Sequence, residues 1–270
     1  YVVFDGAGST TNRKNLLSEY KGKRNLQRIT NWDAFDSLEE EHDSKVDQIV
    51  RVIQYLKLLP VKTTIIDKVE ADDIISILSK KLVEKHNSTC FIVSSDKDFV
   101  QLVTDKIILY RPMEKEYYTP KVVKEKFGVS PQNFILYKTL LGDNSDNIPG
   151  VKGLGEKGIF KKFPELQERN LTLEDIFDIS ARKYKDHVVY SRIIQDEDKL
   201  KTSFKVMDLG TPLINEQEKE YLDDLINEDF PDLNSKMFIQ FYNTDQLGGM
   251  IRNLDIWLKE NFEHFKGYKD

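Results

Sequence analysis

Residues 63–96, TTIIDKVEADDIISILSKKLVEKHNSTCFIVSSD, contain the pattern that decides the fold. Two short runs rich in β-branched residues, TTIID and CFIVSS, flank a segment with apolar residues at positions 74, 75, 78 and 82. That spacing is typical of an amphipathic helix, and the flanking runs are typical of buried strands. Because a strand–helix–strand unit favours a parallel pair, we predict an α/β fold.

The two halves of the chain differ in their patterns. YVVFD at the start and KIILY before position 111 add two further strand runs to the first half. From Ser130 onward helical patterns dominate, beginning with SPQNFILYKTLLG, whose Ser-Pro start is a helix-initiation signal. We therefore predict an α/β domain over 1–129, with a mostly parallel sheet flanked by helices, and a helical domain over 130–270.

Composition excludes several classes of protein. The chain has 270 residues, 39% of them hydrophobic, which is enough to form a substantial core. Its single cysteine, Cys90, excludes an internal disulfide and a metal site built on several thiolates, and it suits a reducing compartment. The sequence shows neither an apolar run of membrane-spanning length nor a secretory leader, so we expect a protein of the cytoplasm.

The net charge of −6 is unevenly distributed. Residues 13–28 hold six basic side chains and one acidic side chain, whereas residues 29–47 hold seven acidic side chains and one lysine. A local basic segment is compatible with a nucleic-acid partner in spite of the acidic total. The same segment is also compatible with an ordinary solvated helix face, and composition does not separate the two interpretations.

Eight carboxylates lie at or next to the ends of predicted strands and helices, and they are Asp5, Glu70, Asp72, Asp73, Asp96, Asp98, Asp143 and Asp146. Each could be a helix cap or a turn residue. Parallel strands, however, end at one edge of a sheet, where such side chains converge. Carboxylates brought together repel one another unless a cation neutralises them, and oxygen-only ligands favour Mg²⁺ or Mn²⁺.

The stretch GDNSDNIPGVKGLGEKG, residues 142–158, places two of these aspartates before a loop rich in glycine and lysine. Glycine allows backbone N–H groups to approach a phosphate closely, and a helix beginning near Glu156 would add its positive end. Lys152, Lys157 and Lys161 would supply positive charge. An ordinary helix–turn–helix with glycine caps is the alternative interpretation.

Three blocks in this order, VEADDI, SSDKDF and GDNSDNIPGVKGLGEKG, resemble the signature blocks of the 5′-nuclease, or flap endonuclease, family. YVVFDG and RKNLLSEYKGKR resemble a catalytic strand of that family and the basic start of its helical arch. YSRIIQDEDKLKTSFKVMDL is similar to the T-even bacteriophage ribonuclease H branch. The resemblance is strong over residues 1–165 and weak beyond them.

The resemblance implies a PIN-like sheet, an arch over approximately 10–47 and a helix-hairpin-helix element at 142–163. It also implies two divalent ions, Mg²⁺ or Mn²⁺. The inner ion would be held by Asp5, Glu70, Asp72 and Asp96. The second ion would be held by Asp98, Asp143 and Asp146, with Asp73 acting through water or the helix terminus. The family has a further catalytic aspartate on a preceding strand, so we expect residues before Tyr1.

The resemblance also assigns basic and glycine residues to substrate. Lys21 and Arg24 would face the scissile phosphate and act in catalysis. DNA would be bound by Arg13, Lys14, Tyr20 and Lys23 in the arch and by Gly150, Lys152, Gly153, Gly155, Lys157 and Lys161 in the hairpin. Tyr20 could equally pack against the apolar side of its own helix. Hairpin carbonyls would bind a monovalent cation such as K⁺.

The implied function is that of a metal-dependent 5′-3′ exonuclease, flap endonuclease and ribonuclease H that removes primers and flaps during replication. Its partners would be 5′-flap, nicked or branched duplex DNA, RNA–DNA hybrid and replication proteins such as a single-stranded-DNA-binding protein. We expect a monomer with no membrane contact, in the host cytoplasm if a phage encodes it. The alternatives are a catalytically impaired relative that binds branched DNA and a PIN-type ribonuclease. PIN domains lack the hairpin, which counts against the latter.

Overall fold

The computed structural model describes residues 1–22, 31 and 33–265. The strands are β1 (Val2–Asp5), β2 (Thr63–Ile66), β3 (Cys90–Val93), β4 (Ile107–Arg111), β5 (Glu116–Tyr118), β6 (Gly142–Asp143) and β7 (Ile148–Pro149). The helices are α1 (Thr11–Leu16), α2 (Leu38–Leu56), α3 (Ala71–His86), α4 (Pro120–Phe127), α5 (Pro131–Leu141), α6 (Glu156–Lys162), α7 (Glu165–Glu168), α8 (Leu173–Arg182), α9 (Val188–Gln195), α10 (Glu197–Met207), α11 (Glu216–Asn227), α12 (Ser235–Thr244) and α13 (Leu254–Phe262). Short 3₁₀ helices cover Asp98–Leu102 and Glu263–Phe265. Across these described residues no helix has both the length and the apolar character that crossing a bilayer requires.

The chain forms two compact units. The first unit comprises Tyr1–Phe4, Leu26–Ile65 and Asp223–Asp270, and the second comprises Asp5–Asn25 and Ile66–Leu222. The first unit contains α2, α12 and α13 around a small core of Leu59, Phe238, Tyr242 and Leu258. An ion pair also stabilises it, because Arg51 Nε and Nη2 each lie 2.7 Å from an oxygen of Asp245.

The second unit contains a three-stranded sheet in the order β3–β4–β5. β3 and β4 are parallel, with Cys90 opposite Ile107 and Val93 opposite Tyr110. β5 is antiparallel to β4, since the short turn over 112–115 reverses the chain directly. The sequence predicted β3 and β4 but not β5. Helix α3 packs against β3 and β4, which confirms the predicted α/β class with a small parallel sheet flanked by helices.

One hydrophobic core runs through the second unit. It extends in sequence from Ile92 on β3 to Leu209 beyond α10, and it includes Leu136 on α5 and Ile176 on α8. Residues on both sides of the predicted boundary at 129/130 therefore share this core. The boundaries of the two compact units therefore differ from the predicted domain boundary at 129/130. The assignment of separate functions to the two predicted domains stays a prediction.

The helices that position the site begin and end where their sequence signals lie. Helix α3 covers the predicted range and is capped by Asn87, whose φ of 49° is left-handed. At the start of α5 the Ser130 side chain accepts the backbone N–H of Asn133, and Pro131 occupies the first turn. The C-cap residue of the same helix is Gly142, with a φ of 79°. Helix α6 begins at the predicted Glu156.

Candidate active site

Three carboxylate residues lie where β1 ends and α3 begins. Asp5 is the last residue of β1, and its Oδ1 accepts a hydrogen bond of 2.8 Å from the backbone N–H of Ala71. Glu70 is the N-cap residue of α3, and Asp72 lies in the first helical turn. The positive end of the helix dipole favours negative charge at both positions. The predicted convergence of these side chains on one metal ion stays a prediction.

Glu70 is buried and surrounded by donors. Arg13 Nη1 lies 2.5 Å from Glu70 Oε2, and the Tyr20 hydroxyl lies 3.3 Å from the same oxygen. Lys21 Nζ contacts Glu70 Oε1. Burying a carboxylate is costly unless it is paired and hydrogen-bonded, and these three side chains supply the pairing.

Asp73 is equally buried and binds Arg13 from the other side. Arg13 Nη1 lies 2.6 Å from Asp73 Oδ2, and Arg13 Nη2 lies 3.1 Å from Oδ1. Oδ1 also accepts the backbone N–H of Leu213 at 3.1 Å. Arg13 Nε donates to the carbonyl of Val206 at 2.9 Å. Both oxygens of Asp73 are thus engaged within the protein, which places Asp73 as an anchor for Arg13.

The structure corrects two predicted DNA-binding residues. Arg13 is only 4% exposed and Tyr20 only 3% exposed, so neither presents a surface to a nucleic acid. The physical cause for Arg13 is the pair of buried carboxylates that it neutralises. Tyr20 lies in a turn and packs with Ile135 on α5 and Ile148 on β7, so its apolar contact is with other elements and not with its own helix. Burial, and next the charge of Glu70, raise the pKa of the Tyr20 hydroxyl.

A second group of carboxylates follows β3. The Ser94 hydroxyl accepts the backbone N–H of Asp96 at 3.1 Å, and Asp96 Oδ1 accepts the backbone N–H of Asp98 at 2.8 Å. This turn fixes the two aspartates at the end of the strand, and Asp98 begins a 3₁₀ helix. Asp96 is exposed and Asp98 is half-buried.

Asp98, Asp143 and Asp146 form a compact acidic cluster. One oxygen of each carboxylate lies within 4.8 Å of the others. Lys138, on the last turn of α5, contacts Asp98, and its Nζ lies 2.8 Å from Asp143 Oδ2. Asp143 Oδ1 accepts the backbone N–H of Ser145 at 2.8 Å and its hydroxyl at 2.5 Å.

The pKa shifts in the two groups have distinct causes. Burial, and next the charges of Asp96 and Glu70, raise the pKa of Asp72 to about 7. Burial also raises the pKa of Asp98, although Lys138 opposes it. For Asp143, burial is outweighed by hydrogen bonds from Lys138 and Ser145, which lower its pKa to about 2. Burial is the largest cause of the upward shifts in the pKa of Asp72 and of Asp98.

The donor set fits a hard divalent cation. Carboxylate oxygens without thiolate or imidazole suit Mg²⁺ or Mn²⁺, and the acidic cluster supplies three of them at close range. The four predicted inner ligands are less compact. Within the described part of the chain, Asp5, Glu70, Asp72 and Asp96 do not form a second group at that spacing, although the charges of Glu70 and Asp96 act on Asp72.

The predicted arch residues are only partly described. Lys14 lies on α1 and is exposed, whereas Lys21 is half-buried against Glu70. The backbone N–H of Lys21 donates to the carbonyl of Asp146 at 2.9 Å, which ties it to the acidic cluster. Lys23 and Arg24 lie outside the described residues. The arch over 10–47 therefore stays a prediction.

The predicted hairpin has two glycines whose geometry requires them. A Cβ atom on Gly150 would lie 2.2 Å from the backbone of Leu141, and Gly153 has a φ of 84°. Arg192 on α9 donates from Nη1 to the carbonyl of Lys152 at 2.7 Å and holds this loop. Gly155 is the N-cap residue of α6 and is exposed, as are Lys152, Lys157 and Lys161.

Sequence reasoning missed three supporting residues. We did not predict that Arg13 pairs with both Glu70 and Asp73. Nor did we predict that Lys138 contacts the acidic cluster or that Arg192 donates a hydrogen bond to the hairpin. Only Lys138 had a local signal, since it lies five positions before Asp143. A lysine on the last turn of a helix is, however, common for electrostatic reasons alone.

Comparison with known proteins finds a family match and several relatives. Residues 1–128 match the family described as 5′-3′ exonuclease, N-terminal resolvase-like domain. The chain is 36% identical over 189 residues to DNA polymerase I of Bacillus subtilis, with 68% of this chain and 20% of that protein covered. It is 33% identical over 188 residues to a 5′-3′ exonuclease of Buchnera aphidicola, with 68% of this chain and 60% of that protein covered. The chain thus spans less than two thirds of the length of either relative.

A solved structure shares the fold. The 5′-exonuclease of bacteriophage T5, with zinc as the divalent metal bound, superimposes with a TM-score of 0.63 at 24% identity. The superposition covers 90% of this chain and 82% of the phage protein. The likeness supports an α/β fold for most of the chain.

Proposed function

We propose that this chain is a divalent-metal-dependent 5′ nuclease, because residues 1–128 match the 5′-3′ exonuclease N-terminal family and the chain is 33% identical to a 5′-3′ exonuclease. It hydrolyses phosphodiester bonds near the 5′ ends of DNA flaps and RNA–DNA duplexes during replication. The observation that carries the proposal is the cluster of Asp98, Asp143 and Asp146, of which Asp143 and Asp146 directly precede the glycine- and lysine-rich loop of the hairpin. One short segment therefore supplies both ligands for metal and donors for phosphate.

Two ions, Mg²⁺ or Mn²⁺, complete the proposal. Asp98, Asp143 and Asp146 would hold one ion. Asp72 and Asp96, together with Asp5 and Glu70, would hold the other. Bound there, such a pair would supply activation of water and neutralisation of charge on the phosphate.

The chain's own residues orient this site. Arg13 fixes Glu70 and Asp73 at the start of α3, so the inner carboxylates keep one geometry. Lys21, next to Glu70, is the cation that stabilises negative charge developing on the scissile phosphate, with Arg24 as a second such cation. Helix α3 contributes its positive end to the same region.

The hairpin binds the duplex through its backbone. Gly153 and Gly155 are exposed, as are Lys152, Lys157 and Lys161. The backbone N–H groups of the glycines and the side chains of the lysines contact phosphates, which carry no sequence information. Lys14 and Lys23 contact the 5′ strand. A K⁺ ion at the hairpin carbonyls and a single-stranded-DNA-binding protein as partner complete the proposal. The protein acts as a monomer in the cytoplasm.

The test is cleavage of a 5′-labelled flap duplex by the full-length protein, with Mg²⁺ and with EDTA. We expect products cut near the junction in Mg²⁺ and intact substrate in EDTA. An RNA–DNA duplex with a labelled RNA 5′ end tests the ribonuclease H activity in parallel. Tight binding of the flap without cleavage in either Mg²⁺ or Mn²⁺ would instead identify a binding protein that has lost its chemistry.

A further inference from the structure

Lys138 occupies a position inside the acidic cluster. Its side chain is 12% exposed and reaches from the last turn of α5 to Asp98 and Asp143. Neighbouring lysines on α4, such as Lys121 and Lys124, are exposed at the surface instead. The ammonium group of Lys138 is therefore held among the same carboxylates that are candidates for metal binding.

Lys138 contacts Asp143 Oδ2, which is the oxygen of Asp143 that a metal ion would need. Asp143 Oδ1 accepts hydrogen bonds from the N–H and hydroxyl groups of Ser145, so its lone pairs are committed to the loop. Asp143 Oδ2 faces Lys138 Nζ at 2.8 Å. A divalent ion that bound Asp98 and Asp143 would meet this ammonium group, and the two cations would repel each other.

We propose that Lys138 is an internal counter-cation. It neutralises Asp98 and Asp143 in the metal-free protein, and it moves away from their oxygens when a divalent ion binds. This inference rests on the proposed function, because it assumes that the acidic cluster holds metal. Lysine suits the exchange, since a compact ammonium group on a flexible stem can withdraw without a backbone movement. Lys138 then has two effects: it stabilises the metal-free fold, and it weakens metal binding.

The test uses the full-length protein without DNA. We compare the wild type with Lys138→Met and Lys138→Arg by calorimetric titration with MnCl₂ and by thermal unfolding in EDTA. The control is Lys124→Met, which removes an exposed positive charge from α4. We expect Lys138→Met to bind Mn²⁺ at least about tenfold more tightly, because one nearby like charge is removed. Its melting temperature in EDTA should fall by about 5 °C or more, because two carboxylates lose their partner.

The variants separate the possible outcomes. Lys138→Arg should keep the wild-type melting temperature in EDTA and weak Mn²⁺ binding, and Lys124→Met should behave as the wild type. Unchanged or weaker Mn²⁺ binding in both a folded Lys138→Met and a folded Lys138→Gln variant would overturn the inference while leaving the metal site intact. Absence of Mn²⁺ binding in the wild type would overturn the metal assignment itself, and the inference with it.

Discussion

Arg13 and Asp73 form a two-pronged ion pair, with Nη1–Oδ2 and Nη2–Oδ1 distances of 2.6 and 3.1 Å, across 60 residues of sequence. Both side chains are buried. The same guanidinium group contacts Glu70, so one cation serves two carboxylates at the start of α3. The two buried carboxylates at the start of α3 are thus neutralised from within the protein.

Replacement of Arg13 should therefore affect stability strongly. Arg13→Met leaves Glu70 and Asp73 with less countercharge in a buried site, and we expect the free energy of unfolding to fall by about 3–5 kcal/mol. Lys14→Met, which removes the adjacent exposed charge, should change it by less than about 0.5 kcal/mol. Urea denaturation of both variants measures the difference. Equal small losses would mean that the ion pair adds little.

The acidic cluster should be needed for chemistry more than for binding. We expect the Asp143→Asn, Asp146→Asn double variant to lose at least about tenfold in single-turnover cleavage, because the ligands for one ion are removed. Flap affinity measured in Ca²⁺ should stay similar or become tighter. Asp178→Asn, an exposed change on α8, is the matched control. Undiminished turnover in the double variant would remove the cluster from the mechanism.

Lys21 should act mainly on the transition state. Lys21→Ala removes a cation next to Glu70 while Arg13 and Tyr20 still contact that carboxylate, so the fold should persist. We expect the single-turnover rate to fall about 100-fold and flap affinity to change little. Quench-flow at saturating enzyme gives the rate, and anisotropy in Ca²⁺ gives the affinity. A loss confined to affinity would make Lys21 a residue that positions phosphate.

The hairpin lysines should contribute to the salt dependence of duplex binding. Each phosphate contact releases counterions, so Lys152→Ala with Lys157→Ala should flatten the slope of log K against log salt by about 2. The loss should be much smaller for single-stranded DNA, which offers the hairpin no duplex. Lys121→Ala with Lys124→Ala removes the same charge from α4 as a control. An unchanged slope, or equal weakening on both substrates, would mean that the loop is only a glycine-capped turn.

Sequence patterns predicted the elements that carry the site because those signals are local. The apolar spacing over 71–86 and the Ser-Pro start at Ser130 each determine a helix through contacts within a few residues. The strands then place Asp5 and Asp96 at their carboxyl ends. Strand β5 was missed because its three residues, Glu116–Tyr118, are too few to show a periodic pattern.

The electrostatic partners could not be predicted in the same way. Arg13 lies in a basic run that is equally typical of a solvated or DNA-binding face, and only the folded chain shows that it neutralises Glu70 and Asp73. Lys138 reaches Asp98 across 40 residues. Pairing of charges at such separations depends on the tertiary arrangement, which hydrophobic periodicity does not specify.

The most direct measurement is an anomalous difference map from a crystal of the full-length protein grown with Mn²⁺. The proposal predicts a peak contacting Asp98, Asp143 and Asp146, with the Lys138 ammonium group withdrawn from Asp143, and a second peak beside Asp72. A map without a peak at the acidic cluster, and with Lys138 still between Asp98 and Asp143 under conditions that support cleavage, would contradict it.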